Sequence, residues 1–131
     1  MYDSTLAPPH DIEAEQSVLG GLLIDSEKLL TVSEKISSGD FYRQAHSDIY
    51  SACIDCYQSG SLDVITLRNR LQEIGKLESV GGLSYLAHLA SISVGVNITR
   101  HAEIVKDKST ARKILKWTLT IAEQLYNHAT P

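Results

Sequence analysis

The sequence PPHDIEAEQSVLGGL, residues 8–22, predicts the helix around which the rest of the fold is built. Asp11 follows two prolines and is a good N-cap, and two glutamates occupy the first turn, where negative charge suits the helix dipole. Apolar residues then recur at helical spacing and form one stripe, which consists of Ile12, Val18, Leu19, Leu22 and Leu23. A glycine inside a helix costs about 1 kcal/mol relative to alanine. The pair Gly20-Gly21 therefore predicts that another backbone approaches this helix, residues 11–24, closely.

The length and composition of the chain predict one globular domain with one core. The chain has 131 residues, of which 43% are hydrophobic, and its formal net charge is −4. An acidic domain binds nucleic acid weakly on its own, because that affinity comes mainly from neutralised phosphates. The sequence shows no apolar run long enough to span a membrane, no secretion signal and no disulfide scaffold. We therefore expect a cytoplasmic protein.

Capping and stop signals predict five or six helical segments after a flexible N-terminal tail, residues 1–10. These segments form a predicted globular helical domain, residues 11–96. After the first helix, a second is predicted to begin at Ser26, a third to cover 44–58, a fourth to begin at Asp63 and a fifth to follow Gly81-Gly82. Their spacing predicts that the following residues face the core: Leu29, Leu30, Val32, Ile36, Ile65, Leu67, Leu71, Ile74, Leu83, Leu86, Leu89 and Ala90.

Asn97 can cap a last and longest helix, and the region 97–131 is predicted to protrude. About 30 helical residues reach on the order of 45 Å, which is too long to lie within a small globule. Its second half carries a coiled-coil-like seam, widened by neighbouring large apolar residues: Ala111, Leu115, Thr118, Ala122, Leu125 and Ala129, with Ile114, Trp117 and Ile121. Either another subunit covers this seam or the helix is the first arm of a hairpin. The predicted class is all-α, a compact bundle followed by a long protruding C-terminal helix.

The sequence offers no catalytic or cofactor site, so we expect this chain not to be an enzyme and to bind no cofactor. A P-loop needs a glycine-rich turn ending in Gly-Lys-Ser/Thr, whereas Gly75-Lys76 is followed by Leu77 and preceded by Arg70 at the position of the first glycine. Cys53 and Cys56 match a redox spacing. They lie late in a predicted helix beside an aspartate, which disfavours the thiolate.

The histidines are scattered and never paired at the helical spacing of metal ligands, so no metal site is expected. His46 is predicted to cap or pack beside Phe41-Tyr42 as a core histidine. Three large aromatic side chains, Tyr85, Trp117 and Tyr126, are candidates for interface anchors, although core packing is an equal alternative for Tyr85.

Four segments of the chain, in order, resemble the N-terminal domain of DnaB-type replicative DNA helicases. Together they cover nearly the whole chain from about Pro8 to about Tyr126. The segments are the opening 8–22; Asp40-Phe41-Tyr42 with His46 and Ile49-Tyr50; Asp63 to Leu67 with Gly75 to Leu86; and Asn97-Ile98 with Ala102 to Val105 and Arg112.

The resemblance implies a collar, the ring that the N-terminal domains of such helicases form. In that family the domains pair through helical hairpins, three pairs make the collar, and primase docks on it. The ATPase motor, with its ATP and magnesium, is a separate C-terminal domain, and a helicase loader is a further partner. Carried over to this chain, self-association falls on Leu115, Trp117, Thr118, Ile121, Ala122 and Leu125, and primase docking falls on Glu13, Tyr85, Leu115 and Ile121.

Two alternatives remain open at the level of the sequence. One is a stand-alone adaptor or loader-like interaction domain without a motor. The other is a DNA-binding helical module, which the acidic net charge disfavours. The basic residues of the long helix are predicted to form a solvated face interleaved with Glu103 and Asp107 rather than a DNA contact; they are Lys106, Lys108, Arg112, Lys113 and Lys116.

Overall fold

The computed structural model describes residues 6–93, 95 and 97–129, and all regular structure within them is helical. In this part of the chain seven α-helices are joined by short connections, two of which contain 3₁₀ turns at Ser26–Lys28 and Ser38–Asp40. The helices are α1 (Ile12–Ile24), α2 (Leu29–Lys35), α3 (Gln44–Gln58), α4 (Val64–Glu73), α5 (Leu77–Val80), α6 (Gly82–Ile92) and α7 (Ile98–Ala129). The predicted all-α architecture with a long C-terminal helix is confirmed. None of the described helices combines the length and apolar character that a membrane span requires.

Helix α1 lies at the centre of the domain and packs against α3, α6 and α7. A Cβ atom added to Gly20 would collide with the carbonyl oxygen of Leu89 and the hydroxyl of Ser93, both near the end of α6. A Cβ atom on Gly21 would lie 2.8 Å from Cδ1 of Ile98, at the start of α7. The predicted close approach is confirmed, because α6 and α7 cross α1 where the two glycines leave room.

Three of the predicted helix starts have the expected side-chain caps. Asp11, Asp63 and Asn97 each accept a hydrogen bond from the backbone N–H three residues further on, at 3.0, 2.8 and 3.1 Å. Ser26 makes no capping hydrogen bond, since it begins a 3₁₀ turn and α2 starts only at Leu29. The capping role predicted for Ser26 is therefore wrong, although helical structure does begin at that residue, and the side-chain caps of α1, α4 and α7 each satisfy one N–H of the first turn.

Four of the residues predicted to face the core are instead exposed. These are Leu30, Ile65, Ile74 and Leu83, whereas the other predicted residues of the same helices are buried or half-buried. Leu30 follows buried Leu29 and points about 100° away from it, beyond the side of α2 that the rest of the domain covers. Surface helices of a small domain bury one narrow stripe each, and the sequence pattern overestimated its width.

The first three turns of α7 belong to the globular core. Ile98, Ala102, Val105 and Ser109 are buried against the rest of the domain, chiefly α1 and α2. The core therefore extends past the predicted boundary between residues 96 and 97. Beyond Arg112 most residues of the helix are exposed, and residues 113–129 are called here the projecting segment.

The chain before α1 is held against the globule at three residues. Residues 1–5 of the predicted tail lie outside the described part of the chain. Pro8, Pro9 and His10 are half-buried, and the His10 ring stacks on that of Tyr42 with 4.3 Å between centroids. The carbonyl of Pro9 accepts a hydrogen bond from Arg112 of α7 at 3.0 Å. The prediction of a flexible tail is wrong for these three residues, which we call the N-terminal arm.

Candidate interaction surface on the C-terminal helix

The projecting segment exposes most of its large apolar side chains. Trp117 is 61% exposed, Ile121 56% and Leu125 65%. Contiguous apolar surface of this kind on a soluble domain marks a contact site. The complete set of exposed large apolar residues in this segment is Ile114, Trp117, Leu119, Ile121, Leu125 and Tyr126.

The apolar side of α7 changes where the helix leaves the globule. At about 100° per residue, the four buried residues of its first turns define one core-facing side. In the projecting segment that same side is polar, with Lys116, Thr120, Glu123 and Asn127. The opposite side carries Arg100, Glu103 and Asp107 beside the globule and becomes apolar beyond it, with Ile114, Thr118, Ile121 and Leu125. The apolar surface of the projecting segment therefore faces away from the side that this chain's own globule covers.

The six residues predicted for self-association lie together on this segment. Trp117, Thr118, Ile121 and Leu125 are exposed, and Leu115 and Ala122 are half-buried. The four residues predicted for primase docking are more dispersed. Two of them share the projecting segment, Glu13 is exposed on the first turn of α1, and Tyr85 is half-buried on α6. Both assignments remain predictions.

Glu15 forms a buried hydrogen-bonding centre that the sequence analysis did not find. Its carboxylate is almost fully buried and accepts hydrogen bonds from the backbone N–H groups of Tyr42 at 2.7 Å and Arg43 at 3.4 Å. Those groups belong to the two residues just before α3, so Glu15 joins the connection that leads into α3 to helix α1. The carboxylate also lies 2.8 Å from Nδ1 of buried His46. A carboxylate accepts only, so Nδ1 carries the proton of this hydrogen bond.

Tyr85 closes this network from α6. Its hydroxyl lies 2.6 Å from Nε2 of His46 and accepts a hydrogen bond from Gln16 Nε2 at 3.1 Å. The rings of Tyr85 and His46 are nearly parallel, with 6.0 Å between centroids. The phenol of Tyr85 thus points inward, and only part of the ring is available to a partner. The prediction that His46 is a core histidine near Phe41 is confirmed.

Asp40 forms a second buried polar centre at the base of the projecting segment. Its carboxylate accepts hydrogen bonds from Ser109 Oγ at 2.6 Å and from the backbone N–H of Ser37 at 2.8 Å. The ammonium groups of Lys106 and Lys113 lie 3.5 and 3.7 Å from the same carboxylate oxygen. Burial alone would raise the pKa of Asp40, but these hydrogen bonds and cations outweigh it and lower the pKa below its usual value.

Arg112 fastens α7 beside Asp40. Its guanidinium donates to the carbonyl oxygens of Asp40 at 2.6 Å and Pro9 at 3.0 Å, and it lies 5.6 Å from the centroid of the Tyr42 ring. The interpretation of the basic residues as a solvated face is therefore wrong for Arg112, whereas the side chains of Lys106 and Lys113 remain 44% and 54% exposed while their ammonium groups face Asp40. These three residues join the long helix to the globule and fix the direction in which the projecting segment leaves it.

The two cysteines lack the environment of reactive thiols. Cys53 and Cys56 are both buried and unbridged, and burial is the main cause that raises the pKa of each thiol. Redox and metal-binding thiols need the opposite shift. Among the described residues, no three side chains of His, Cys, Asp or Glu lie close enough together to hold a metal ion.

A cavity of about 350 Å³ lies between the N-terminal arm and the projecting segment. Its lining is mainly apolar and also includes charged side chains. The residues that line it are Pro8, Arg112, Leu115, Lys116, Leu119, Thr120 and Glu123.

Comparison with known proteins matches residues 7–107 to the DnaB-like helicase N-terminal domain. Replicative DNA helicase DnaB of Buchnera aphidicola subsp. Baizongia pistaciae (strain Bp) is 40% identical over 121 residues, which are 91% of this chain and 26% of that protein. Replicative DNA helicase DnaC of Bacillus subtilis (strain 168) is 39% identical over 121 residues, which are 91% of this chain and 27% of that protein. The chain thus spans about a quarter of the length of these relatives.

Two solved structures share the fold. The N-terminal domain of DnaB helicase from Mycobacterium tuberculosis superposes with a TM-score of 0.86 at 36% identity, covering 92% of this chain and 85% of that one. The N-terminal domain of DnaB helicase from Helicobacter pylori, described with its interactions with primase, gives a TM-score of 0.72 at 21% identity, covering 86% of this chain and 89% of that one. The match over most of its length shows that this chain belongs to the family of DnaB-like helicase N-terminal domains.

Proposed function

We propose that this domain forms part of the collar of a ring-shaped bacterial replicative DNA helicase. In this proposal copies of the domain associate through the projecting segment, as dimers and as a trimer of dimers in the full ring, and primase docks on the same region. Family membership and the names of the full-length relatives support a role in replication. The Helicobacter pylori domain, described with its interactions with primase, supports primase as a partner through its shared fold.

One observation carries the proposal. The projecting segment turns its apolar side away from the side that the globule covers, with Trp117, Ile121 and Leu125 each more than half exposed. Burying exposed apolar side chains against another chain removes them from water, which lowers the free energy of the system. A two-fold pair, in which the same surface meets itself, is the commonest arrangement for such a face.

The motor of the proposed helicase lies outside this domain. ATP and magnesium are proposed cofactors of a separate domain of the parent protein, and this chain has no Gly-Lys-Ser/Thr turn that would cradle phosphates. With a net charge of −4 the isolated domain is expected to bind DNA weakly at most, with a steep dependence on salt. A cytoplasmic location and a helicase loader as a further partner complete the proposal. If the gene encodes no P-loop downstream of Pro131, the helicase proposal is replaced by the alternative of a stand-alone adaptor domain without a motor.

The test removes the apolar face and leaves the polar side intact. The double variant Trp117→Ala with Ile121→Asp is compared with a control, Thr120→Asp with Gln124→Ala, whose residues are also exposed. Sedimentation across a wide concentration range measures the dimer fraction, and circular dichroism checks folding. We expect self-association of the wild type and of the control, and a lower dimer fraction together with weaker primase capture for the double variant. A wild type that stays strictly monomeric at high concentration would refute the proposal. The proposal would also be refuted if the control variant lost as much of its dimer fraction as the double variant.

A further inference from the structure

The N-terminal arm is joined to the globule by contacts with two side chains. The His10 ring stacks on the ring of Tyr42 with 4.3 Å between centroids, and the carbonyl of Pro9 accepts a hydrogen bond from Arg112 at 3.0 Å. Proline has no backbone N–H, so Pro8 and Pro9 cannot add hydrogen bonds of their own as donors. One ring stack and one hydrogen bond each contribute modestly to stability. The arm is therefore held more weakly than a packed helix of the core.

The arm forms a compact turn that can move as one unit. Nδ1 of His10 lies 2.7 Å from the carbonyl oxygen of Pro8 and donates a hydrogen bond to it, because a carbonyl oxygen only accepts. The two proline rings restrict the backbone between these groups. The helix that follows does not depend on the arm, since Asp11 accepts a hydrogen bond from the N–H of Ala14 and caps α1 by itself. The arm can thus leave the globule while α1 keeps its first turn.

The seat of the arm, formed by the Tyr42 ring and the Arg112 guanidinium, is held in place by other parts of the fold. The backbone N–H of Tyr42 donates a hydrogen bond to the buried carboxylate of Glu15 at 2.7 Å. The Arg112 guanidinium donates to the carbonyl of Asp40 at 2.6 Å and lies 5.6 Å from the centroid of the Tyr42 ring. None of these contacts involves the arm. The seat therefore stays formed when the arm leaves, which makes closure of the arm reversible.

Closure of the arm also affects α7, because Arg112 lies at the base of the projecting segment. Beyond this residue most of the helix is exposed. An exposed helix end opens and closes locally, and the opening stops where contacts with the rest of the fold hold the chain. With the arm closed, the guanidinium donates to two carbonyl groups on different parts of the chain, and with the arm open it keeps the one of Asp40. Closure therefore adds to the free energy needed to open the turn around Arg112.

We infer that the N-terminal arm is a strap that closes on Tyr42 and Arg112 and opens as a unit while the globule stays folded. When it is closed, it protects the base of the projecting segment from local unfolding. The inference goes beyond the proposed function, since it concerns a single copy of the chain, whether or not copies associate. The Tyr42 ring is the part of the seat that holds His10, so loss of this ring opens the strap.

Nuclear magnetic resonance of the full chain at low concentration follows the strap and the helix in one sample. The Tyr42 ring shields the ring protons of a stacked His10, so their chemical shifts report closure directly. Tyr42→Leu and His10→Ala both remove the stack, and each is expected to speed hydrogen exchange at the amides of residues 112–116 about fivefold, as loss of one modest contact does. Tyr42→Leu is also expected to move the His10 shifts to the values of the urea-unfolded chain. Leu6→Ala is the matched control, because Leu6 lies just before the arm and is 64% exposed.

The slowest-exchanging amides of α3 are expected to stay within about twofold of the wild type in every variant, which verifies that the globule is intact. If Tyr42→Leu does not fold, His10→Ala decides alone. Wild-type His10 shifts equal to those of the unfolded chain would overturn the inference, because the arm would not close in solution. Unchanged exchange at 112–116 in the stack variants would overturn it too, since closure would not protect α7. Equal acceleration in α3 would show that the arm belongs to the core, and an equal effect of Leu6→Ala would show that the stack does not hold it.

Discussion

Replacing Gly20 by alanine tests the central claim about how this domain is packed. The added Cβ atom would meet the carbonyl oxygen of Leu89 and the Ser93 hydroxyl, and the carbonyl carbon of Leu89 at 2.7 Å. The Ser93 side chain can rotate, although it would lose its 2.8 Å hydrogen bond to Leu89. The carbonyl belongs to the backbone of α6 and moves only if the helix moves. The substitution therefore forces α1 and α6 apart.

The size of the effect follows from two opposing terms. Alanine is favoured over glycine in a helix by about 1 kcal/mol. Forcing an extra methyl group into a packed core costs about 1 to 3 kcal/mol, and contact with backbone on a neighbouring helix belongs at the upper end. The expected net loss for Gly20→Ala is about 2 kcal/mol of unfolding free energy, or roughly 8 °C in Tm for a domain of this size.

Two other glycines serve as matched controls. At Gly21 the three atoms nearest to the added Cβ atom all belong to the side chain of Ile98, the nearest at 2.8 Å, and a side chain can shift more easily than backbone. The cost of overpacking and the gain in helix propensity then nearly cancel. For Gly21→Ala we expect the free energy of unfolding to change by no more than about 1 kcal/mol. Gly39 has no heavy atom within 4 Å of its added Cβ, so Gly39→Ala is expected to be neutral or slightly stabilising.

Urea unfolding followed by circular dichroism measures the three variants against the wild type. The protein concentration is kept low and constant, because self-association would add to the apparent stability. The expected order of stability is Gly39→Ala, then Gly21→Ala, then Gly20→Ala. If Gly20→Ala is as stable as Gly39→Ala, the close approach of α6 to α1 is wrong and the packing argument fails with it.

Three further predictions concern the buried polar groups. Asp40→Asn should destabilise the domain by about 2 kcal/mol at pH 7. Because folding lowers the pKa of Asp40, its contribution is present above the unfolded value of 3.8 and is lost as pH falls through the lower folded pKa, so urea titrations should converge at low pH. Tyr85→Phe leaves His46 Nε2 without its hydroxyl partner and should cost about 1 to 3 kcal/mol, measured in urea. A thiol reagent at pH 8 should leave Cys53 unlabelled in the folded protein and label both cysteines in denaturant, since Cys53 and Cys56 are buried.

Most of the longer helices and several of their ends were predictable because their signals are local. A cap such as Asp63, a stop such as Gly75 and a run of apolar residues all act within a few positions of one another. The glycine pair in α1 was also informative, since its cost in a helix needs a tertiary reason. Leu30 and Ile65 were misassigned because periodicity gives the direction of an apolar stripe and not how much of it the neighbouring helices cover.

The buried polar centres could not be predicted from spacing along the chain. Glu15 contacts Tyr42 and His46, 27 and 31 positions away, and Arg112 reaches Pro9 across 103 positions. In the sequence Glu15 is a favourable residue in a first helical turn and Arg112 is one of several cations on a long helix. Neither pattern distinguishes a solvated charge from one that binds another element of the fold, because the tertiary fold determines the partner.

The Asp40 centre gives the projecting segment a fixed orientation, and this matters for any assembly built on it. A single 32-residue helix contains both the buried first turns and the exposed apolar face, so no hinge lies between them. Ser109, Lys106, Arg112 and Lys113 meet the Asp40 backbone or carboxylate on successive turns. Rotation of α7 about its axis would break these contacts together. The apolar face is thus presented at one angle to the globule, which reduces the conformational freedom that association has to remove.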